Sequence, residues 1–174
     1  MKPLYGTELK RFLKKYRRAN RPKRQVKCLL QSVEYPVNVG SAFRMADGAG
    51  VDELILTGIT PTPPNPTIDK IGRNKHTKLN WRYEHDAVNA IQQIKKDGFQ
   101  IVAVELTAEA TPYQQFDFAD KVCLIVGNED HGVTKATLAH CDAAIFLPMS
   151  GKGLSLNVHV ALSIVTYHVR HVAS

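Results

Sequence analysis

The chain is poor in cysteine and has no long hydrophobic run, and each absence excludes something. Its 174 residues include three cysteines, Cys28, Cys123 and Cys141. An odd number with no C-x-x-C pair argues against a disulfide framework and points to a reduced, cytoplasmic chain. No apolar run approaches the roughly 20 residues that a membrane span needs, so no membrane partner is expected of the body. Residues 1–24 lack the apolar core and small-residue cleavage site of a secretory signal. No Gly-x-Gly-x-x-Gly or Walker sequence follows a strand, which leaves a dinucleotide or ATP site unsupported. Neither His140-Cys141 nor any carboxylate cluster has zinc-ligand spacing, and no metal is expected. What remains, 44% hydrophobic and 22% charged residues with eleven Gly and nine Pro, is the composition of one packed domain and excludes disorder and collagen-like repeats.

The charge is unevenly spread. Of the 23 Lys and Arg, eleven lie at or before Lys27 beside a single acid, Glu8, leaving +10 there. From Cys28 onward twelve basic residues face fifteen acidic ones, a balance of −3. An arm this basic attracts a polyanion by counterion release: nucleic acid first, an anionic membrane surface second. Leu9, Phe12, Leu13 and Tyr16 fall at i, i+3, i+4 and i+7, which predicts an amphipathic helix over 7–19. Thr7 is the expected N-cap, and Asn20 with Pro22 the stop. The apolar stripe is expected to dock on the body or on a partner chain, turning Lys10, Lys14, Arg17 and Arg18 toward nucleic acid. A merely solubilising helix is the alternative.

Beyond the arm (residues 1–25), residues 26–174 alternate apolar runs with helical patterns. Strands are expected at 26–33, 53–56, 99–106, 121–126 and 143–147, and helices at 39–50, 86–97, 134–140 and 157–172. Short, nearly continuous apolar strands between helices imply an α/β fold, a mostly parallel sheet flanked by helices. The proline cluster over 60–66 reads as a stiff loop. Lys70, Arg73, Lys75 and Lys78 after it are a second phosphate-contacting patch or a solvated loop.

Three segments carry the chemistry. Pro36-Val-Asn-Val-Gly-Ser-Ala-Phe-Arg-Met-Ala46 opens a helix, with Asn38 explicable as its N-cap. Leu124-Ile-Val-Gly-Asn-Glu-Asp-His-Gly132 runs a strand into a glycine turn carrying Glu129 and His131. Such turns beyond parallel strands are where α/β folds hold ligands. Ile145-Phe-Leu-Pro-Met-Ser-Gly-Lys-Gly-Leu-Ser-Leu-Asn157 ends a strand and puts Ser155 and Asn157 at a helix mouth, where backbone N–H groups are free. The helix that follows is apolar on two sides: Val158, Ala161, Leu162, Val165 and Val169 form one stripe, Val160, Ile164 and Tyr167 another. It needs cover on both, the second expected from another copy of the chain.

Taken together these segments resemble the three motifs of the SpoU/TrmH branch of the SPOUT class of RNA 2′-O-ribose methyltransferases. Asn38, Gly40, Arg44 and Ala46 match the first; Gly127, Glu129 and Gly132 the second; Pro148, Met149, Gly151, Ser155, Leu156, Asn157, Val158 and Ala161 the third. His159 departs from the pattern, standing where the family often has a small residue. The resemblance implies S-adenosyl-L-methionine as methyl donor, S-adenosyl-L-homocysteine as product, a C-terminal trefoil knot and a homodimer sealed by the last helix. It implies a donor site at Val126, Gly127, Leu147, Met149, Ser155 and Leu156. It also implies a catalytic Arg44 served by Asn38, Glu129, Ser155 and Asn157. A guanidinium stays protonated, so Arg44 is read as gripping the phosphate beside the target ribose and stabilising the developing alkoxide. RNA is the expected partner, tRNA ahead of rRNA, met by Lys10, Lys14, Arg17, Arg18, Arg73, Lys75 and Lys78. The rival expectation is a non-catalytic RNA-binding protein that keeps the fold.

Overall fold

Strand β1 (Gln25–Gln31) lies in the interior of the sheet, with neighbours on both sides. Its neighbouring residues Leu29 and Leu30 are both essentially fully buried, because successive side chains of a strand leave on opposite faces and both faces here are covered. Leu30 joins Phe43, Leu54, Leu124, Leu162 and Val165 in one core. Leu29 joins Ile55, Ile91, Ile94, Ile101 and Ile125 in the other. The computed structural model describes residues 1–171.

Strands β2 (Glu53–Thr57), β3 (Trp81–Glu84), β4 (Gln100–Val104), β5 (Thr111–Pro112), β6 (Lys121–Val126) and β7 (Ala143–Phe146) complete the sheet. The order is β3-β2-β1-β6-β4-β7-β5, and every pairing is parallel. The helices are α1 (Gly6–Ala19), α2 (Pro36–Ala49), α3 (Pro66–Gly72), α4 (Ala87–Lys96), α5 (Lys135–Leu138) and α6 (Val158–His171). Helices α2 and α6 supply the first core, and α4 the second. The expected α/β architecture is thus present, with a wholly parallel sheet.

Several boundaries differ from expectation. β1 stops at Gln31 because Ser32 takes a left-handed backbone, φ 54°. α2 begins at Pro36, with Tyr35 as its cap; Asn38 lies inside the first turn and is not the N-cap. α1 is capped by Tyr5, not Thr7. Strand β3 and the two-residue β5 were not expected: half-exposed edge strands need no apolar run. The proline-rich segment conceals helix α3, which starts on Pro66 after Asn65 accepts the N–H groups of Thr67 and Ile68, the arrangement proline and asparagine favour at a helix start. Residue 172, the expected end of the last helix, lies outside the described residues.

One close approach joins α2 to α3. A Cβ on Gly40 would come within 2.9 Å of Ile71 Cβ and 3.1 Å of the Ile68 carbonyl, so glycine lets α2 and α3 touch backbone to backbone. α6 packs Leu162, Val165, Thr166 and Val169 inward and leaves Val160, Ile164 and Tyr167 exposed. The arm has no cover in this chain: none of the α1 residues is buried, and its stripe of Leu9, Phe12, Leu13 and Tyr16 stays in solvent rather than on the body. No helix among the described residues is long and apolar enough to cross a membrane.

Candidate active site

Beyond the carboxyl ends of β4, β6 and β7, the chain encloses a cavity of about 900 Å³. The loop after β6 forms one wall. A Cβ on Gly127 would overlap the carbonyl of Gly132 and the nitrogen of Val133. Asn128 and Gly132 exchange backbone hydrogen bonds of 3.1 and 2.9 Å, and Gly132 turns at φ 64°, a conformation glycine adopts without strain. The Asn128 side chain organises the turn: its Oδ1 accepts the N–H groups of Asp130 (3.0 Å) and His131 (3.1 Å), and its Nδ2 donates to the Ser32 carbonyl at 2.9 Å. Glu105, just past β4, accepts the Val133 N–H at 2.9 Å and closes the same loop from the other side. Asn128 and Glu105 were both missed in sequence. An asparagine after a strand-ending glycine and an acid closing the apolar run of β4 were the available signals.

A polar network joins the three motif segments at the rim of the cavity. Glu129 accepts the backbone N–H of Glu34 at 2.9 Å and of Tyr35 at 3.3 Å. It also receives the Asn38 amide at 2.6 Å. Burial alone would raise its pKa; the hydrogen bonds from Glu34, Asn38 and Tyr35 overcome this and hold it below the ordinary carboxylate value. Asn38, only 4% exposed, accepts Asn157 Nδ2 at 3.1 Å and lies 3.2 Å from His159 Nδ1. Asn157 Oδ1 receives the His159 N–H at 3.0 Å and so caps α6.

The residues expected to hold the methyl donor, Val126, Gly127, Leu147, Met149, Ser155 and Leu156, all line this cavity, and so do Asn38, Glu129 and Asn157. Arg44 does not. It is exposed on α2, about 240° round the helix from Asn38. It follows Gly40 and precedes Asp47 at helical spacing, on the side where Gly40 meets α3 and Asp47 binds Lys75 Nζ at 2.5 Å. Arg44 therefore shares a face with the basic segment after α3, where Arg73 and Lys78 are exposed and Lys75 is engaged by Asp47. Lys10, Lys14, Arg17 and Arg18 lie exposed along α1.

A cavity built by strand-end loops of an all-parallel sheet and rimmed by an acid–amide network defines a ligand-binding α/β domain. Residues 25–167 match the SpoU rRNA Methylase family model, and the chain belongs to that family. It is 32% identical over 142 residues to the 23S rRNA (guanosine(2553)-2'-O)-methyltransferase of Bacillus subtilis, matching 82% of this chain and 56% of that protein. To the tRNA (guanosine(18)-2'-O)-methyltransferase of Thermus thermophilus it is 30% identical over 142 residues, 82% of this chain and 72% of that one. The AdoMet-bound rRNA methyltransferase of Sinorhizobium meliloti shares its fold with a TM-score of 0.77 at 25% identity, covering 89% of this chain and 59% of the other. The chain spans only part of these relatives' length.

Proposed function

We propose that the chain transfers a methyl group from S-adenosyl-L-methionine to a ribose 2′-hydroxyl in structured RNA, with tRNA favoured over rRNA. The observation that carries this is the convergence of the three motif segments on one cavity, tied together by Glu129, Asn38 and Asn157. The names of the relatives support the reaction class, and both RNA types occur among them.

The cavity suits the donor. Val126, Leu147 and Leu156 offer apolar wall for an adenine, and the missing Cβ of Gly127 lets the loop after β6 fold back tightly beside it. Met149 and Ser155 would border the same ligand. S-adenosylmethionine, held there, would supply a methyl group on a sulfonium, whose thioether S-adenosylhomocysteine is already a good leaving group. The protein's task is then to align the ribose oxygen and ease the loss of its proton. Arg44 grips the phosphate beside the target ribose and stabilises the alkoxide as it develops, while a phosphate oxygen or water takes the proton. Asn38, Glu129, Ser155 and Asn157 hold the loops that position ribose and donor. No metal is assigned.

A homodimer belongs to this reading. The exposed Val160, Ile164 and Tyr167 of α6 need cover, and Arg44 does not reach the cavity of its own chain. A second copy against α6 meets both needs, each chain lending Arg44 to its twin. The family's C-terminal trefoil knot over the segments after β6 and β7 is part of the same proposal, supported by the sheet order, in which both strands flank β4. So are a methyltransferase domain over 26–174 and an arm over 1–25 whose Lys10, Lys14, Arg17 and Arg18, with Arg73, Lys75 and Lys78 of the body, contact RNA. A cytoplasmic location goes with that substrate.

The test is titration with S-adenosylmethionine, followed by methyl incorporation into bulk tRNA and rRNA and mapping of 2′-O-methyl positions. Donor binding with label at defined tRNA riboses is the expected result. Binding of RNA without donor binding at millimolar excess would leave a non-catalytic RNA-binding protein instead.

A further inference from the structure

The hydrogen bonds around Asn38 fix the place of one proton on His159. At one end, the Glu129 carboxylate takes the N–H groups of Glu34 and Tyr35 and can only accept. The Asn38 atom 2.6 Å from it is therefore the amide nitrogen. At the other end, the His159 backbone N–H, a donor by nature, points at Asn157 Oδ1 and turns Asn157 Nδ2 toward Asn38 at 3.1 Å. Both ends impose the same orientation on Asn38, with its Oδ1 facing Asn157 Nδ2 and His159 Nδ1. Two lone pairs of one carbonyl oxygen meet two nitrogens, and each nitrogen has to bring a hydrogen.

We infer that His159 is a positioning residue for methyl transfer: held as the Nδ1–H tautomer, it is the second donor on Asn38 Oδ1 and locks the amide that anchors Glu129 and the loop after β6. The inference rests on the cavity being the methyl-transfer site. It concerns a side chain that does not itself line that cavity. Asn38 is 4% exposed, so water does not replace a lost donor there, and an unmet buried acceptor keeps its desolvation cost. The backbone that carries the ring is well anchored for the task. The His159 backbone N–H donates to Asn157 Oδ1, and the His159 backbone carbonyl receives Ser163 Oγ at 2.6 Å, so the first turn of α6 is fixed. Burial also depresses its pKa below the ordinary imidazole value, which favours the neutral ring in which the choice of tautomer matters.

Two measurements on the full-length protein test this. In protein carrying ¹⁵N-histidine, the resonances lost in His159→Asn identify the ring. The expected pattern is protonated Nδ1 and bare Nε2; a neutral ring protonated on Nε2 overturns the inference. In methyl-transfer kinetics, His159→Asn keeps an amide N–H near the Nδ1 position and retains kcat within about twofold, whereas His159→Gln, with its donor displaced, and His159→Ala lose about tenfold in kcat. Donor affinity is expected to stay close to wild type in all three, and Tm to hold in the Asn variant but fall in the Gln and Ala variants, which leave the buried Asn38 oxygen short of a donor. Equal activity in all variants, or equal loss in the Asn and Gln variants, removes the positioning role. A wild-type protein that shows the Nδ1–H tautomer yet methylates no RNA strikes the functional reading instead and leaves the hydrogen-bond assignment standing.

Discussion

Asn38 and Glu129, 91 positions apart, are joined by a 2.6 Å hydrogen bond between amide and carboxylate. That contact binds the start of α2 to the loop after β6, so the two motif segments act as one rigid rim. Removing either partner strands the other in a half-buried site. Glu129→Ala and Asn38→Ala are each expected to lower kcat/KM by about ten- to a hundredfold, a hydrogen bond to a charged group contributing about 1.5–3 kcal/mol. The double variant is expected to lose little more than either single one. A methyl-transfer double-mutant cycle checks this, and simple additivity would mean the two residues act separately.

The same bonds make stability depend on pH. Glu129 has its folded pKa lowered by hydrogen bonds from Glu34, Asn38 and Tyr35 that outweigh burial. A carboxylate of this kind contributes stability above its unfolded pKa and loses that contribution as pH falls through the lower folded value. The wild-type Tm is therefore expected to drop on acidification below the ordinary carboxylate range more steeply than the Tm of Glu129→Gln. Parallel melting curves would refute the idea.

Much of this was legible in sequence because it rests on local patterns. The buried strands β1, β2 and β6 advertise themselves as apolar runs, and the glycines of the β6 loop mark its turn. What escaped was non-local. Asn38 reads as a cap by its neighbours, yet its amide is claimed by Glu129 from another strand. Trp81–Glu84 is a strand only because Leu54, Ile55, Leu56 and Thr57 lie beside it. The face on which Arg44 stands depends on α3, which hides behind prolines. The unpartnered stripe of α1 was visible as a pattern, but not the fact that the body leaves it bare.

The turn at Gly127 is predicted to be intolerant of any side chain. A Cβ there meets the backbone of Gly132 and Val133, which are held by Asn128 and Glu105 and cannot yield as a flexible side chain would. Gly127→Ala is expected to destabilise by about 2–4 kcal/mol and to abolish donor binding. Chemical denaturation and titration calorimetry read both. Gly151→Ala, which meets nothing within 4 Å, is the control expected to leave stability unchanged.

Arg44 supplies the sharpest test of the proposed dimer. Arg44→Ala should end methyl transfer while sparing donor binding, and Arg44→Lys should fail as well, since an ammonium lacks the planar fork that grips a phosphate. Asn157→Ala damages the rim of the cavity from the other side. If each chain lends its arginine to its twin, a mixed dimer of Arg44→Ala and Asn157→Ala subunits contains one wholly intact site, built from the Arg44 of one subunit and the Asn157 of the other. Co-refolding the two inactive variants is then expected to restore about a quarter of wild-type activity, since half of randomly formed dimers are mixed and each carries one good site. Were Arg44 to act within its own chain, every site in the mixture would carry a defect, and no activity would return. Ile164→Asp places a charge on the exposed stripe of α6; added to both variants it should block the rescue, and a monomer in light scattering would show why.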